Sequence, residues 1–456
     1  MLAGWGRATR SRATVVRPRD ADELADALGR RSARGVLARG LGRAYGDAAQ
    51  NAGGRVVVTT GIAAVRGFDA ERGEVTVDAG ISLEALARLT MPHGWFPAIV
   101  PGTRFVTVGG ALAADIHGKN HHVDGGFAGH VRAFDLLTPD GDRRRVLPGS
   151  EEFAATAGGM GLTGIVSAAT LRLMPLPSTL VREEVTRASD LDHLLALMAD
   201  NDDAYRYSVA WVDAAGRRGR GLLLRGDHAS ADESAAAPHN GAIPVPGGGG
   251  RGAMPAQASD GAIAGFGAPR LRAPRWVPGG LLGPPTVRAF NALWVRRSRP
   301  GTHVRLTPLA AYFWPLDGVR GWNRLYGDRG LIQYQCVVPP GAEDVLRRIL
   351  DGAGASTLAV LKRLADGDGP LAFAMRGWTL ALDFPAAAPG LDRLLDRFDE
   401  WVAEAGGRVY LAKDCRLRPA TLRAMYPRLD EWRATRARLD PAGRMRSDLQ
   451  RRLELA

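Results

Sequence analysis

Ala38-Arg39-Gly40-Leu41-Gly42-Arg43-Ala44-Tyr45-Gly46-Asp47 is the stretch whose reading decides the fold. Residues 35–40 carry the pattern of a buried strand entering a turn. The glycines that follow let a backbone approach a ligand closely and turn N–H groups toward phosphate. Their spacing is GxGxxxG, and no helical pattern follows, so the GxGxxG of a Rossmann dinucleotide site is disfavoured. On its own the loop is compatible with a cofactor cradle or with an ordinary turn.

Three more glycine clusters follow it. They are Pro101-Gly102-Thr103 with Val106-Thr107-Val108-Gly109-Gly110, then Asp115-Ile116-His117-Gly118-Lys119-Asn120-His121-His122, then Gly158-Gly159-Met160-Gly161-Leu162-Thr163-Gly164-Ile165. Together they imply extensive backbone contact with a long, phosphate-bearing ligand. His117, His121 and His122 invite a zinc reading. Gly118 and Asn120 disfavour the helix that would align them, and no carboxylate is placed as in HExxH, so no metal is expected.

Outward from these clusters, residues 55–59 and 74–78 read as strands and residues 82–89 as a helix with Ser82 as N-cap. The mixture indicates an α+β fold. An Ala/Gly/Pro-rich tract, about 227–285, cannot bury enough apolar surface to offset its ordering entropy, and reads as a mobile surface loop or lid or equally as an inert insertion. After it, residues 331–338, 342–350, 357–361, 378–384, 391–402 and 408–411 alternate as β-α-β-β-α-β, an antiparallel split βαβ unit. The expected division is a first domain over 1–178, a cap over 179–407 that includes the tract, and a C-terminal segment, 408–456, returning to the first domain. Trp294, Phe313 and Trp314 are candidates for an apolar mouth on the cap, though core packing suits each one better.

Composition narrows the function. The 456 residues carry a net charge of +12, with 60 basic side chains of which three are lysines: Lys119, Lys362 and Lys413. The arginines are dispersed among acidic residues and no zinc-finger, helix-turn-helix or RRM pattern is present, so no nucleic-acid partner is expected. An anionic small molecule or membrane surface suits the charge better. No stretch is long and apolar enough for a membrane span, and residues 1–19 lack the apolar core of a secretory leader. Two cysteines, Cys336 and Cys415, make no disulfide framework. A compact ammonium is not replaceable by a guanidinium, so each rare lysine marks a position worth attention.

These motifs resemble the FAD-binding domain of the vanillyl-alcohol oxidase (PCMH) type. Within that superfamily the chain is most similar to the decaprenylphosphoryl-β-D-ribose 2′-oxidases, the flavin subunits of a ribose-to-arabinose epimerase. The likeness covers nearly the whole chain. It rests on residues 38–43, 101–104, the specific Asp115–His122 run, Ser208-Val209-Ala210-Trp211, Gln333-Tyr334-Gln335, Ala412-Lys413-Asp414 and residues 451–455. It implies a two-part PCMH-type FAD domain with a substrate cap and FAD between them. The implied FAD contacts are Arg39, Gly40, Leu41, Gly42, Arg43, Ala44, Tyr45, Gly102, Thr103, Thr107, Gly109, Gly110, His117, Gly118, Asn120, Gly161, Ile165 and Lys413. Many superfamily members attach FAD through a histidine in the first glycine loop. This loop has none, so noncovalent FAD is expected.

The implied reaction is oxidation of the ribose 2′-hydroxyl of a polyprenyl-phosphoryl sugar to a 2-keto product. It is the first half of epimerisation to the arabinose donor for cell-wall arabinan. The implied partners are a separate NADH-dependent reductase and a membrane met peripherally at the cell envelope, with cytoplasmic and periplasmic faces both open. Lys413, His117 and Tyr45 are the implied catalytic residues. Lys413 serves as a cation beside the flavin or helps remove the hydroxyl proton, and Tyr45 packs against the flavin or donates to it. Lys119, Gln333, Gln335, Lys362, Thr379 and Trp211 are the implied substrate contacts. Gln333 and Gln335, two apart on one strand, share a face suited to sugar hydroxyls. Two departures stand out. Ala381 replaces a cysteine common in mycobacterial members, the target of covalent nitroaromatic inhibitors, so such adducts are not expected. Thr379 replaces an asparagine. A related oxidase of alditols or aldonolactones that uses oxygen is the alternative.

Overall fold

The computed structural model describes the chain except residues 31, 216–218, 237–265, 267–268, 270, 275–276, 278–281, 299 and 456. The tract expected over 227–285 lies mostly outside the described residues, as does the side chain of Trp294.

Near the N-terminus, Val36–Arg39, Arg55–Val58 and Thr14–Val16 form a parallel three-stranded sheet with Arg55–Val58 in the middle. Val36, Val56 and Val57 are fully enclosed, as the continuous apolar runs demand. The helix Ala21–Gly29 covers them with Leu24, Ala27 and Leu28, its first turn capped by the Asp20 carboxylate. Val36–Arg39 then delivers the glycine loop from its C-terminal end. A second, antiparallel sheet runs in the order Arg143–Val146, Val131–Leu137, Ile165–Pro175, Glu74–Asp78, Val65–Asp69, with Trp95–Pro97 also on Ile165–Pro175. Ser82 caps the helix Leu83–Thr90 as its sequence predicts, accepting from the Ala85 N–H.

The cap is an eight-stranded antiparallel sheet, twice the width expected. Leu331–Val338, Glu343–Gly352, Leu358–Leu364, Gly377–Pro385, Leu391–Glu404 and Arg408–Val409 follow the predicted β-α-β-β-α-β order. The same succession occurs earlier in Leu180–Ala188, Leu191–Asn201, Tyr207–Val212, Gly221–His228, Pro284–Arg297 and Thr302–Pro308. The two halves join where Tyr207–Val212 pairs with Leu358–Leu364. The first half is hidden in the sequence because the low-complexity tract separates its third strand from its second helix. Period-two alternation assigns the two faces. Leu380, Leu382 and Phe384 pack under helices through Val345, Leu346, Ile349, Leu395, Phe398 and Val402. Thr379, Ala381 and Asp383 turn the other way, toward the first domain's glycine loops.

Two corrections to the predicted boundaries affect the site. The strand expected over 357–361 runs Leu358–Leu364, so Lys362 stands inside it. The last strand stops at Val409. Beyond it Tyr410 donates its N–H to Gln335 O at 2.9 Å and the chain turns, with Lys413 N–H on Tyr410 O at 2.9 Å. The helices Pro419–Met425, Leu429–Leu439 and Asp448–Leu453 then carry the chain back. Buried Trp432 donates its indole N–H to Ala155 O at 2.9 Å.

The loop bearing Tyr45 is fastened to the loop bearing Lys413. Tyr45 N–H donates to Ala412 O at 2.9 Å, and Arg452 reaches both Asp47 oxygens at 2.8 and 2.9 Å and Asp414 Oδ2 at 2.9 Å. Gly46 makes this closeness possible. A Cβ there would lie 1.8 Å from Asp414 O and 2.9 Å from Cys415 Cβ. Because the obstacle is a backbone carbonyl, Gly46→Ala is expected to destabilise the protein by roughly 2 kcal/mol or more. It should also weaken FAD retention, as checked by thermal melting and by flavin released on gel filtration.

Candidate active site

The glycine loops and the inner face of the cap sheet enclose a cavity of about 990 Å³, at the upper end of small-molecule sites. One wall is backbone: residues 38–45, Gly102 and Thr103, Thr107, Gly109 and Gly110, and Gly161, Gly164 and Ile165. Gly42 has φ +65 and Gly161 φ +74, left-handed values that favour glycine. A Cβ at Gly102 or Gly161 would point into open space. Arg43 sits on this wall with its guanidinium 4.1 Å from the Trp5 ring, and its buried Nε has no hydrogen-bond partner among the described residues. A wall of open glycine backbone with an unpartnered guanidinium N–H is suited to the pyrophosphate of a dinucleotide cofactor.

The opposite wall is the sheet face set by strand alternation: Trp211, Leu358, Val360, Lys362, Ala381, Gln333 and Gln335. Gln333 and Asp383 are cross-strand partners, and Gln333 Nε2 donates to Asp383 Oδ1 at 2.5 Å. Gln333 also hydrogen-bonds the Tyr45 hydroxyl. Burial pushes the Asp383 carboxyl up to about 6, against the pull of Gln333 and Lys413. Lys413 Nζ lies 3.9 Å from the Tyr45 ring centre. Burial brings its amine down to about 8, with Asp383 opposing.

The Asp115–His122 run supplies the third side. Asp115 adopts φ +37, an unusual conformation for a non-glycine residue, held by its carboxylate accepting from Ala128 N–H at 2.9 Å. The turn after it places His117 between Gln335 Nε2, 2.9 Å from Nε2, and Lys362 Nζ, 2.9 Å from Nδ1. Burial and the nearby Lys362 hold the imidazole well below its ordinary pKa. Lys362 itself is brought to about 7 by burial and by repulsion from Lys413 and Lys119. Lys119 Nζ stands 3.9 Å from the Tyr312 ring centre and donates to Tyr312 O at 2.5 Å. Burial lowers it to about 8, with Glu183 opposing. All three lysines of the chain therefore line one cavity.

Of the residues predicted from sequence, two have side chains off the cavity wall. Asn120 is buried and donates to Ala98 O at 2.9 Å and Asp124 Oδ2 at 2.7 Å, so it shapes the run beneath the site. Thr379 lies below Gln335, whose Nε2 donates to Thr379 Oγ1 at 3.1 Å. Phe313 and Trp314 are buried in the core, and Phe313 also reaches the cavity wall. His121 and His122 are bonded to backbone: His121 Nδ1 accepts from Ala365 N–H, and His122 Nε2 faces Asp202 O and Tyr205 O. No group of metal-ligating side chains occurs among the described residues.

Sequence reading missed Asp383, Glu183, Tyr312 and Tyr410. Asp383 was recoverable, because it is two and four residues from Ala381 and Thr379 on the same strand face. Tyr410 had no such signal. Its hydroxyl donates to Ala114 O at 2.8 Å, while its ring stacks on Phe373 and borders His117, a setting built entirely by tertiary contacts.

Comparison with known proteins agrees with this geometry. Residues 13–147 match the family model described as an FAD binding domain, and residues 384–453 the model described as D-arabinono-1,4-lactone oxidase. The chain is 38% identical to a decaprenylphosphoryl-beta-D-ribose oxidase of Mycolicibacterium smegmatis, over 100% of this chain and 97% of that one. It is 42% identical to an uncharacterised Streptomyces coelicolor protein, over 82% of this chain and all of the other. An alditol oxidase of a Streptomyces species is 28% identical over 99% of this chain and 98% of its own.

The lowered lysines make stability depend on pH. An unfolded lysine stays protonated to about pH 10.4. Between about 7 and 10 the unfolded chain therefore binds more protons than the folded one, and stability rises with pH. That gain is lost as pH falls through the folded pKa values. Lys362→Met is thus expected to raise the melting temperature by ~2–4 °C at pH 6 and by progressively less toward pH 10. Thermal melts across that range check it.

Proposed function

The chain belongs to the decaprenylphosphoryl-β-D-ribose oxidase family and is an FAD-dependent oxidoreductase, and from that premise we propose that it oxidises the ribose 2′-hydroxyl of decaprenylphosphoryl-β-D-ribose to the 2-keto sugar. The observation that carries this reading is the convergence of Lys119, Lys362, Lys413, Gln333 and Gln335 on the cavity lined by the glycine loops. The glycine wall with Arg43 suits noncovalent FAD, and His117 is the only histidine among the lining residues. Bound FAD supplies the two-electron acceptor for the hydride that leaves C2′.

The protein's own work is to orient the sugar, exclude water and handle one proton. Gln333, held by Asp383 and Tyr45, and Gln335, held by Thr379, offer rigid amides for sugar hydroxyls. Lys119 and Lys362 suit the phosphate or sugar oxygens of an anionic substrate. Lys413 provides a cation on the Tyr45 side, or an amine that accepts the hydroxyl proton. The exposed Leu41, Phe290, Leu306 and Leu316 border the same cavity and suit the polyprenyl chain at its mouth. No helix among the described residues is long and apolar enough to cross a membrane. These rim residues support peripheral contact with the cell envelope, where the lipid substrate resides. The reading also includes an NADH-dependent reductase that takes over the keto product, and the division into FAD domain, cap and returning segment at about 178 and 407.

The match of residues 384–453 to the D-arabinono-1,4-lactone oxidase model favours one alternative, an oxygen-using oxidase of soluble alditols or aldonolactones. Anaerobic mixing separates the two. The polyprenyl-phosphoryl ribose should bleach the bound flavin, and Lys413→Ala should slow bleaching by a factor of at least ~100 with FAD still bound. Bleaching by free alditols and none by the lipid would transfer the assignment. Acid precipitation should leave all flavin in the supernatant.

A further inference from the structure

Around His117 the hydrogen-bond directions can be read in sequence. Thr379 Oγ1 lies 2.8 Å from Cys336 O, a carbonyl that can only accept, so the hydroxyl donates there. The Gln335 group 3.1 Å from that hydroxyl must then donate to it, which fixes it as the amide nitrogen. The same nitrogen lies 2.9 Å from His117 Nε2, so Nε2 accepts. A neutral imidazole carries its hydrogen on the other nitrogen, and Nδ1 lies 2.9 Å from Lys362 Nζ. An N–H meeting an ammonium would be donor against donor, whereas an uncharged amine offers the lone pair that is needed.

We propose that Thr379 is a positioning residue: its hydroxyl fixes the Gln335 amide, the amide fixes His117 as the Nδ1–H tautomer, and that hydrogen keeps Lys362 an uncharged amine in the resting enzyme. The surroundings agree. Lys362 faces His117, Lys119, the Gly118 carbonyl and His121 from the 115–122 run, and Lys413 from the loop beyond the edge strand. Among the described residues no carboxylate acts on it, and burial and both neighbouring lysines push its amine down. On the proposed function, which this inference deepens, the cavity rests with one cation withheld. When an anionic substrate enters, Lys362 gains a proton from solvent, amine to ammonium, and its Nζ turns from His117 toward the ligand.

The chain's three lysines make the test clean, because each can be followed separately by NMR of FAD-loaded protein with labelled lysine and histidine. Lys362→Met and His117→Gln assign the signals. The expected results are a protonated Nδ1 and bare Nε2 at His117, and a Lys362 titration near neutral pH. In Thr379→Val, Lys362 should titrate higher by about one pH unit, while Thr379→Ser restores the wild-type value and Lys119 stays where it was. A hydrogen on His117 Nε2 in the wild type, or an unmoved Lys362 titration in Thr379→Val, overturns the proposal. No substrate is present in this experiment, so failure of the proposed reaction would leave it unaffected.

Discussion

Lys119, Lys362 and Lys413 place three amines on the wall of one enclosed cavity, and the protein must accommodate their mutual repulsion as well as their loss of water. Two are cushioned by aromatic faces, Lys119 over Tyr312 and Lys413 over Tyr45. Each of these two also has a carboxylate within electrostatic reach, Glu183 and Asp383. Lys362 has neither among the described residues, and it is the one whose amine falls furthest, to about 7. A cavity built this way is complementary to negative charge. It becomes favourable when an anion arrives, and the resting protein carries the cost.

The fold exists to hold the two sides of that cavity in register. One side is glycine backbone delivered by a parallel strand; the other is a rigid sheet face whose alternation sends every second residue inward. Contact between them is made by short loops together with apolar packing, in which Phe96, Val100 and Met174 share one buried cluster with Val181, Tyr207, Phe313 and Trp314. Trp5 and Gly6 N–H groups bond the Ala44 and Tyr45 carbonyls, Leu331 N–H bonds Gly6 O, and Arg452 gathers Asp47 and Asp414. Displacement at any of these points would separate Tyr45 from Lys413. The pair therefore depends on the last helix of the chain as much as on its own loop.

Much of this was legible in the residues. Local patterns carry strands, caps and the split βαβ order, because alternation and capping are properties of neighbours. The glycine clusters and the rare lysines pointed to one site for the same reason: each is unusual where it stands. What sequence could not convey is pairing at a distance. The earlier half of the cap sheet was masked by the inserted tract. The resemblance offered Asn120 and Thr379 as contacts, but their side chains lie off the cavity wall, bonded to Ala98 and Asp124 in one case and to Cys336 and Gln335 in the other. Tyr410 and Tyr312 gain their positions only when loops far apart in the chain close over the lysines.

Proton exchange on substrate binding tests most directly whether this cavity is a set of under-protonated lysines awaiting an anion. FAD-loaded protein would be mixed anaerobically at pH 8 in weak buffer with polyprenyl-phosphoryl 2-deoxyribose, which lacks the hydroxyl whose oxidation would itself release a proton, and an indicator dye would report protons. Net proton uptake by the complex, smaller in Lys362→Met, is the predicted result, since a bound anion raises the pKa of each amine it meets. Binding with no uptake, or with proton release, would contradict it.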